Sequence, residues 1–215
     1  MLYEPEPDDH NGDNHYAAVQ RIRRLIETYL PNHGAFFQEL LQRTGANIMG
    51  SFSLFSLAQS WTKWNNPGDM DVFFPPTTQT LTHRNQRLFD EHLIQCGYIR
   101  VILPPRLEPY AVFYQPTYNT RMMVFTYYKR VPGAKFVIQL VFPNFIPSGP
   151  QWKLRMLESF DLSCCSVAYD GKFFYVTHDN RSATTQPVTV RQNHPSTARR
   201  VDKYLRRGFA FYIWI

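Results

Sequence analysis

The sequence predicts an α+β domain, a mixed central sheet with flanking helices. Two observations lead there. Apolar residues recur at three-to-four spacing through much of the first hundred residues, whereas short apolar runs bounded by Pro, Gly or Asp-Gly dominate the remainder. The two kinds do not alternate regularly, which favours a mixed sheet over a doubly wound parallel one. With 215 residues, 44% of them hydrophobic, the chain has material for one core, and residues 15–215 read as a single domain.

Residues 1–14 hold five acids, two prolines and no basic residue, so they are expected to form an acidic disordered tail outside the fold. From Tyr16, the positions Val19, Ile22, Leu25, Ile26, Tyr29 and Leu30 predict an amphipathic helix over 15–30, stopped by Pro31. Phe36, Phe37, Leu40 and Leu41 predict a second helix over 33–43, ending near Gly45. A short strand starts at Asn47 and turns at Gly50-Ser51 into a helix carrying Phe52, Phe55, Leu57 and Trp61, with Ser51 or Ser53 as its N-cap. Asn65-Asn66-Pro67-Gly68 breaks that helix. Asp69-Met-Asp-Val-Phe-Phe then reads as a strand ended by Pro75-Pro76, and residues 80–95 as a helix.

Strands are expected at 98–103, 110–114, 121–128 and most clearly at 135–142, between Pro132-Gly133 and Pro143. A helix at 150–158 follows, then strands around 160–168 and 172–177 joined at Asp170-Gly171. A basic helix at 195–207 and an aromatic last strand complete the pass. In that helix Val201, Tyr204 and Leu205 are expected to pack inward.

The formal net charge is +6, and its location is informative. Residues 181–215 carry seven Lys/Arg and one acid, while residues 1–180 balance at sixteen of each. The whole excess therefore lies at the C-terminal end, which favours an anionic partner there over a generally basic surface. No apolar run approaches the roughly 20 residues that span a bilayer. The N-terminus lacks the basic and apolar regions of a secretory signal. Three cysteines, two of them adjacent, suit a reduced intracellular protein better than a disulfide scaffold.

The pattern that carries chemistry is strand, Gly50-Ser51, helix, then Asp69-x-Asp71 on a strand. Residues i and i+2 of a strand share a face, so Asp69 and Asp71 point the same way and can share Mg²⁺ or Mn²⁺. Gly50 allows close backbone approach, and Ser51 with the following helix start offers a hydroxyl and N–H groups to phosphate. Together these parts suit a nucleoside triphosphate (NTP) whose phosphates bridge the helix end and the metal. Taken singly, a Gly-Ser pair is most often a turn and a DxD a solvated or capping pair; their order and context make the case.

This arrangement resembles that of the nucleotidyltransferase superfamily, which includes DNA polymerase β, poly(A) polymerases and CCA-adding enzymes. The spacer from Ser51 to Asp69 is longer than is usual there. Three further segments resemble nucleotidyltransferase-like domains of large DNA viruses and of some ankyrin-repeat proteins. They are Ile138-Gln-Leu-Val, Phe160-Asp-Leu-Ser-Cys-Cys-Ser-Val-Ala-Tyr-Asp-Gly, and Arg200-Val-Asp-Lys-Tyr-Leu-Arg-Arg-Gly-Phe. The likeness covers most of residues 47–209. It implies nucleotide transfer from an NTP to a hydroxyl acceptor, RNA among the candidates, and leans toward a viral protein acting in the host cytoplasm or nucleus.

The departure lies at the third carboxylate of that family, because the polar position of the strand at 135–142 is the neutral Gln139. Asp161 is the remaining candidate. It reads equally as a third ligand, as a substrate-side aspartate, or as a buried acid bonded to backbone or to a C-terminal arginine. On the C-terminal helix, Lys203 and Arg207 are assigned to the phosphates, with a solvated helix face as the plain alternative. If Gln139 marks a lost site, the chain is a catalytically inactive module binding nucleic acid or a protein. Cys164-Cys165 with His178 lacks zinc spacing, since neighbours on a strand face opposite ways. Tyr127-Tyr128-Lys129-Arg130 reads as a basic-aromatic patch or as a strand end.

Overall fold

The computed structural model describes residues 2–3, 12–58, 67–101, 122–131, 134–143, 149–177, 187–191 and 197–212. In chain order they form β1 (Leu2–Tyr3), α1 (Gly12–Tyr29), α2 (Gly34–Thr44), β2 (Asn47–Met49), α3 (Ser51–Ala58), β3 (Asp69–Phe73) and α4 (Gln79–Gln95). Then come β4 (Ile99–Arg100), β5 (Met122–Val131), β6 (Ala134–Pro143), α5 (Trp152–Glu158), a 3₁₀ turn at Ser163–Cys165, β7 (Val167–Tyr169), β8 (Phe174–Thr177) and α6 (Thr197–Arg206).

One sheet holds all eight strands in the order β1-β8-β7-β2-β3-β6-β5-β4. It is mixed: β3 and β6 run parallel, and every other neighbouring pair is antiparallel. The fold is thus α+β with a mixed central sheet and flanking helices.

The two faces of the sheet differ in what covers them. Met70 and Val72 of β3 share one face with Ile138, Leu140 and Phe136 of β6 and with Tyr127 of β5, all buried. The helices pack here. Tyr29 of α1 stacks on Phe136 at 3.6 Å between ring centres, and Phe52 of α3 meets the same ring edge-on at 6.0 Å. Phe37 of α2 and Phe89 of α4 meet edge to face at 5.5 Å, and Phe89 meets Phe74 at 5.0 Å. Each such ring is worth about 1.5–3 kcal/mol when fully buried, so the aromatic cluster ties all four helices to the central strands.

The opposite face carries Asp69, Asp71 and Phe73. Over β3 it is covered by the C-terminal part of the chain, where Phe160 packs edge-on against Phe73 at 5.8 Å. Farther along, Val137, Gln139, Thr126 and Tyr128 are only half-buried.

Several boundaries depart from the sequence reading. The acidic N-terminal stretch is not wholly outside the fold, since Leu2 and Tyr3 pair with Thr177 and Val176 and α1 begins at Gly12. Residues 160–166 are not a strand: Asp161 lies in a bend, Leu162 makes one bridge to Val190, and the cysteines sit in the 3₁₀ turn. Ser163 accounts for this, because its backbone and side chain both bond Thr189 and hold the segment to a separate short loop. The last strand reduces to a bridge between Val188 and Phe211. The expected strand at 110–114, Trp61 and His178 lie outside the described residues.

Candidate functional site

β2 ends at Met49, and the chain turns into α3 through Gly50 at φ 75°. That left-handed conformation is what requires glycine here, since a Cβ would meet Phe160 only at an ordinary contact of 3.5 Å. The Gly50 N–H donates to the Val167 carbonyl at 3.1 Å, fastening the turn to β7. Neither serine caps α3. Ser53 donates to the Ile48 carbonyl at 2.8 Å, and Ser51 donates to Asp69 Oδ1 at 3.0 Å. The Ser51 hydroxyl, expected to face phosphate, orients the first acid of the pair instead. The donors left for an anion are the N–H groups of the first turn of α3, which lack intrahelical partners.

Asp69 is half-buried and Asp71 is 6% exposed. Oδ1 of Asp71 is buried and accepts no hydrogen bond. Its burial, and then the Asp69 carboxylate, push the Asp71 carboxyl well above the usual carboxylate range, against the pull of Arg200 and Lys203. Those two cations belong to α6, and Arg207, the residue that follows the helix, has its guanidinium interacting with Asp69. The folded chain therefore brings Gly50, Ser51, Asp69 and Asp71 together with Lys203 and Arg207, across more than 130 residues of sequence. Lys203 is exposed, and Arg207 is half-buried with its guanidinium 5.0 Å from the Tyr204 ring centre.

Arg200 is the residue that sequence reasoning did not single out. It is half-buried, and its Nη1 lies 2.7 Å from Asp161 Oδ1 while its Nη2 donates to Cys165 Sγ at 3.4 Å. The signal was helical spacing: Thr197, Arg200, Val201 and Tyr204 fall on one face, and Thr197 and Tyr204 are buried. Leu205, expected to pack inward, is 51% exposed because it lies on the other side of that face.

Asp161 is placed differently from the pair. Thr197 donates to its Oδ2 at 3.1 Å, and Arg200 holds Oδ1. Both carboxylate oxygens thus engage α6, which matches the reading as a buried acid bonded to a C-terminal arginine. Gln139 stands opposite Asp71 in the β3–β6 register and donates to Thr126 Oγ1 at 3.4 Å. The strand beside the aspartates therefore presents an amide where a third acid would stand.

The adjacent cysteines do not face opposite ways, because they lie in a 3₁₀ turn; their sulfurs are 4.0 Å apart and both are fully buried. Burial raises the Cys164 thiol, whereas the bond from Cys164, with help from Arg200 and Tyr204, lowers Cys165. Tyr127–Arg130 belongs to β5. Tyr127 is buried and donates to Asp90 at 2.8 Å, and Lys129 donates to the Cys96 carbonyl at 2.7 Å.

Among the described residues no helix is long and apolar enough to cross a membrane. No protein-family model matches the chain, and no curated protein matches it either.

Proposed function

We propose that the chain is a metal-dependent nucleotidyltransferase-like protein that transfers a nucleotide from an NTP to a hydroxyl acceptor, with RNA the acceptor its basic helix suits. One observation carries this reading. A buried carboxylate oxygen without a hydrogen-bond partner stands beside a second carboxylate, and Arg200 and Lys203 of α6, with Arg207 just after it, act on the pair.

The donor set fits a hard divalent cation. Two carboxylates on one strand face, one of them with an unused buried lone pair, are suitable ligands for Mg²⁺ or Mn²⁺, which favour oxygen and keep several waters. Asp69 and Asp71 would hold the ion, which supplies neutralisation of phosphate charge and polarisation of the bond to be broken. The protein's own part is positioning. Ser51 fixes Asp69, the first turn of α3 offers N–H groups to phosphate oxygens, and Lys203 and Arg207 offset the remaining negative charge. Arg200, held by Asp161, keeps positive potential next to Asp71.

A second reading has a specific observation in its favour. Gln139 beside Asp71 leaves two carboxylates where the resembling family carries three, which suits an inactive module that binds nucleic acid or protein.

The test is incubation with each labelled NTP, Mg²⁺ or Mn²⁺ and a pool of RNA and protein acceptors, beside the Asp69→Asn/Asp71→Asn variant. Label transfer that disappears in the variant is the expected result. RNA retention without transfer, unchanged by the double substitution, favours the inactive module. In that binding assay Lys203→Ala should lower the slope of log affinity against log salt by about one.

A further inference from the structure

Outside the carboxylate pair, two histidines and a cysteine meet where the start of α2 touches the end of α4. His33 is the residue before α2, His92 lies in the last turn of α4, and Cys96 caps it. One ligand atom from each lies within 4.8 Å of the other two. We propose that His33, His92 and Cys96 form a zinc site that pins the N-terminus of α2 to the C-terminus of α4.

Three observations converge on it. First, His92 and Cys96 are four residues apart on one helix, so they share a face, and Cys96 Sγ lies 3.8 Å from His92 Nε2. Ligands about 2.0–2.3 Å from a tetrahedral zinc stand about 3.4–3.6 Å from one another, so this edge is already close to the required length. Second, His92 is 2% exposed, its ring packed against Phe36 and Phe37 at the start of α2. Third, His33 occupies the N-cap position of α2 but makes no side-chain capping bond. Its half-buried ring instead meets His92 edge-on at 5.3 Å, so it can turn to close the site without costing α2 a cap.

The donor chemistry selects the metal. Two imidazoles and a thiolate suit zinc, whereas Mg²⁺ and Mn²⁺ prefer carboxylate and water. The phenyl rings of Phe36 and Phe37, centred 5.0 and 6.0 Å from His92, wall one side with apolar surface. Three protein donors leave the fourth tetrahedral position to water or to an external group. This site is separate from Asp69 and Asp71, shares no residue with them, and does not depend on the proposed transfer.

The experiment strips the full chain of metal with a chelator and titrates it with Zn²⁺ by calorimetry and with Co²⁺ by absorption. The expected result is one zinc per chain, a rise in the thermal midpoint on zinc addition, and a cobalt spectrum with tetrahedral bands and a thiolate charge-transfer band. His33→Ala and Cys96→Ser should each weaken zinc binding about tenfold or more, while Asp69→Asn/Asp71→Asn leaves it unchanged. Circular dichroism of the metal-free variants separates a lost site from a lost fold, and His33→Ala is the variant whose removal breaks no structural hydrogen bond. The proposal is overturned if the folded wild-type chain binds no zinc at micromolar concentration. It is equally overturned if binding survives both single substitutions, or if binding is lost only with the two aspartates.

Discussion

Asp71 and Gln139 stand opposite each other on the parallel strands β3 and β6, pointing to the same face of the sheet. Neighbouring strands lie about 4.8 Å apart, so their side chains can reach one ion. Gln139→Glu would place a third carboxylate in that row, with the Thr126 hydroxyl now able to donate to it. We expect Mn²⁺ affinity to rise about tenfold, a change of about 1.4 kcal/mol, and nucleotide transfer to rise with it. Calorimetric Mn²⁺ titration of both proteins measures this. Unchanged affinity would remove the Asp71–Gln139 row from the metal site.

Asp71 itself should be destabilising when no metal is bound. Its folded-state proton affinity is raised by burial first and by Asp69 second, so the folded chain holds this proton more tightly than the unfolded one. Stability from this group is therefore full below the ordinary carboxylate value near 4. It declines as pH rises through the raised folded value. In chelator at neutral pH, Asp71→Asn should raise stability by roughly 1 kcal/mol and the melting midpoint by about 2–4 °C, while nucleotide transfer falls. Calorimetric melting of the two proteins across pH 4–8 checks the sign, since the wild-type deficit should vanish at the acid end.

Arg200 and Asp161 should behave as a structural unit. The pair is 21% and 10% exposed at the side chains with 2.7 Å between them, so Arg200→Ala leaves a buried carboxylate without its cation. The expected loss is about 3–5 kcal/mol in urea denaturation, and Arg200→Leu/Asp161→Leu should lose clearly less than the sum of the single changes. In a folded Asp161→Asn protein, transfer should fall far less than in Asp71→Asn. An equal fall in both would return Asp161 to the metal.

Two glycines with left-handed backbone separate strain from clash. At Gly50 the φ of 75° comes with an open contact, so Gly50→Ala should cost about 1–2 kcal/mol from backbone strain alone. At Gly171, φ is 97° and a Cβ would lie 2.6 Å from the Gln38 carbonyl, where α2 crosses the β7–β8 turn. Gly171→Ala should therefore be the more destabilising change, and denaturant midpoints of the two variants give the order directly.

Much of the fold was legible because its signals are local. The helices at α1, α2 and α4, and the strand at β6, follow from periodicity and breakers that act over a few residues. The segment at 160–166 was misread because apolar flanks resemble a strand, whereas its pairing partner, the loop at 187–191, lies in distant sequence and admits only a single bridge. The same limit hid the His33, His92 and Cys96 cluster. The four-residue spacing of His92 and Cys96 is visible, but His33 precedes a different helix, α2, and only packing brings it near.

The sequence by itself determined the alternation that places Asp69 and Asp71 on one strand face, and the concentration of positive charge at the C-terminal end. Both are consequences of covalent order and strand geometry. Only the tertiary structure decided which cation faces which acid, that Ser51 holds Asp69, that Asp161 is held by α6, and that Gln139 stands beside Asp71. Those depend on sheet register and on the docking of α6, where burial removes water and makes each charge answer to its nearest neighbour.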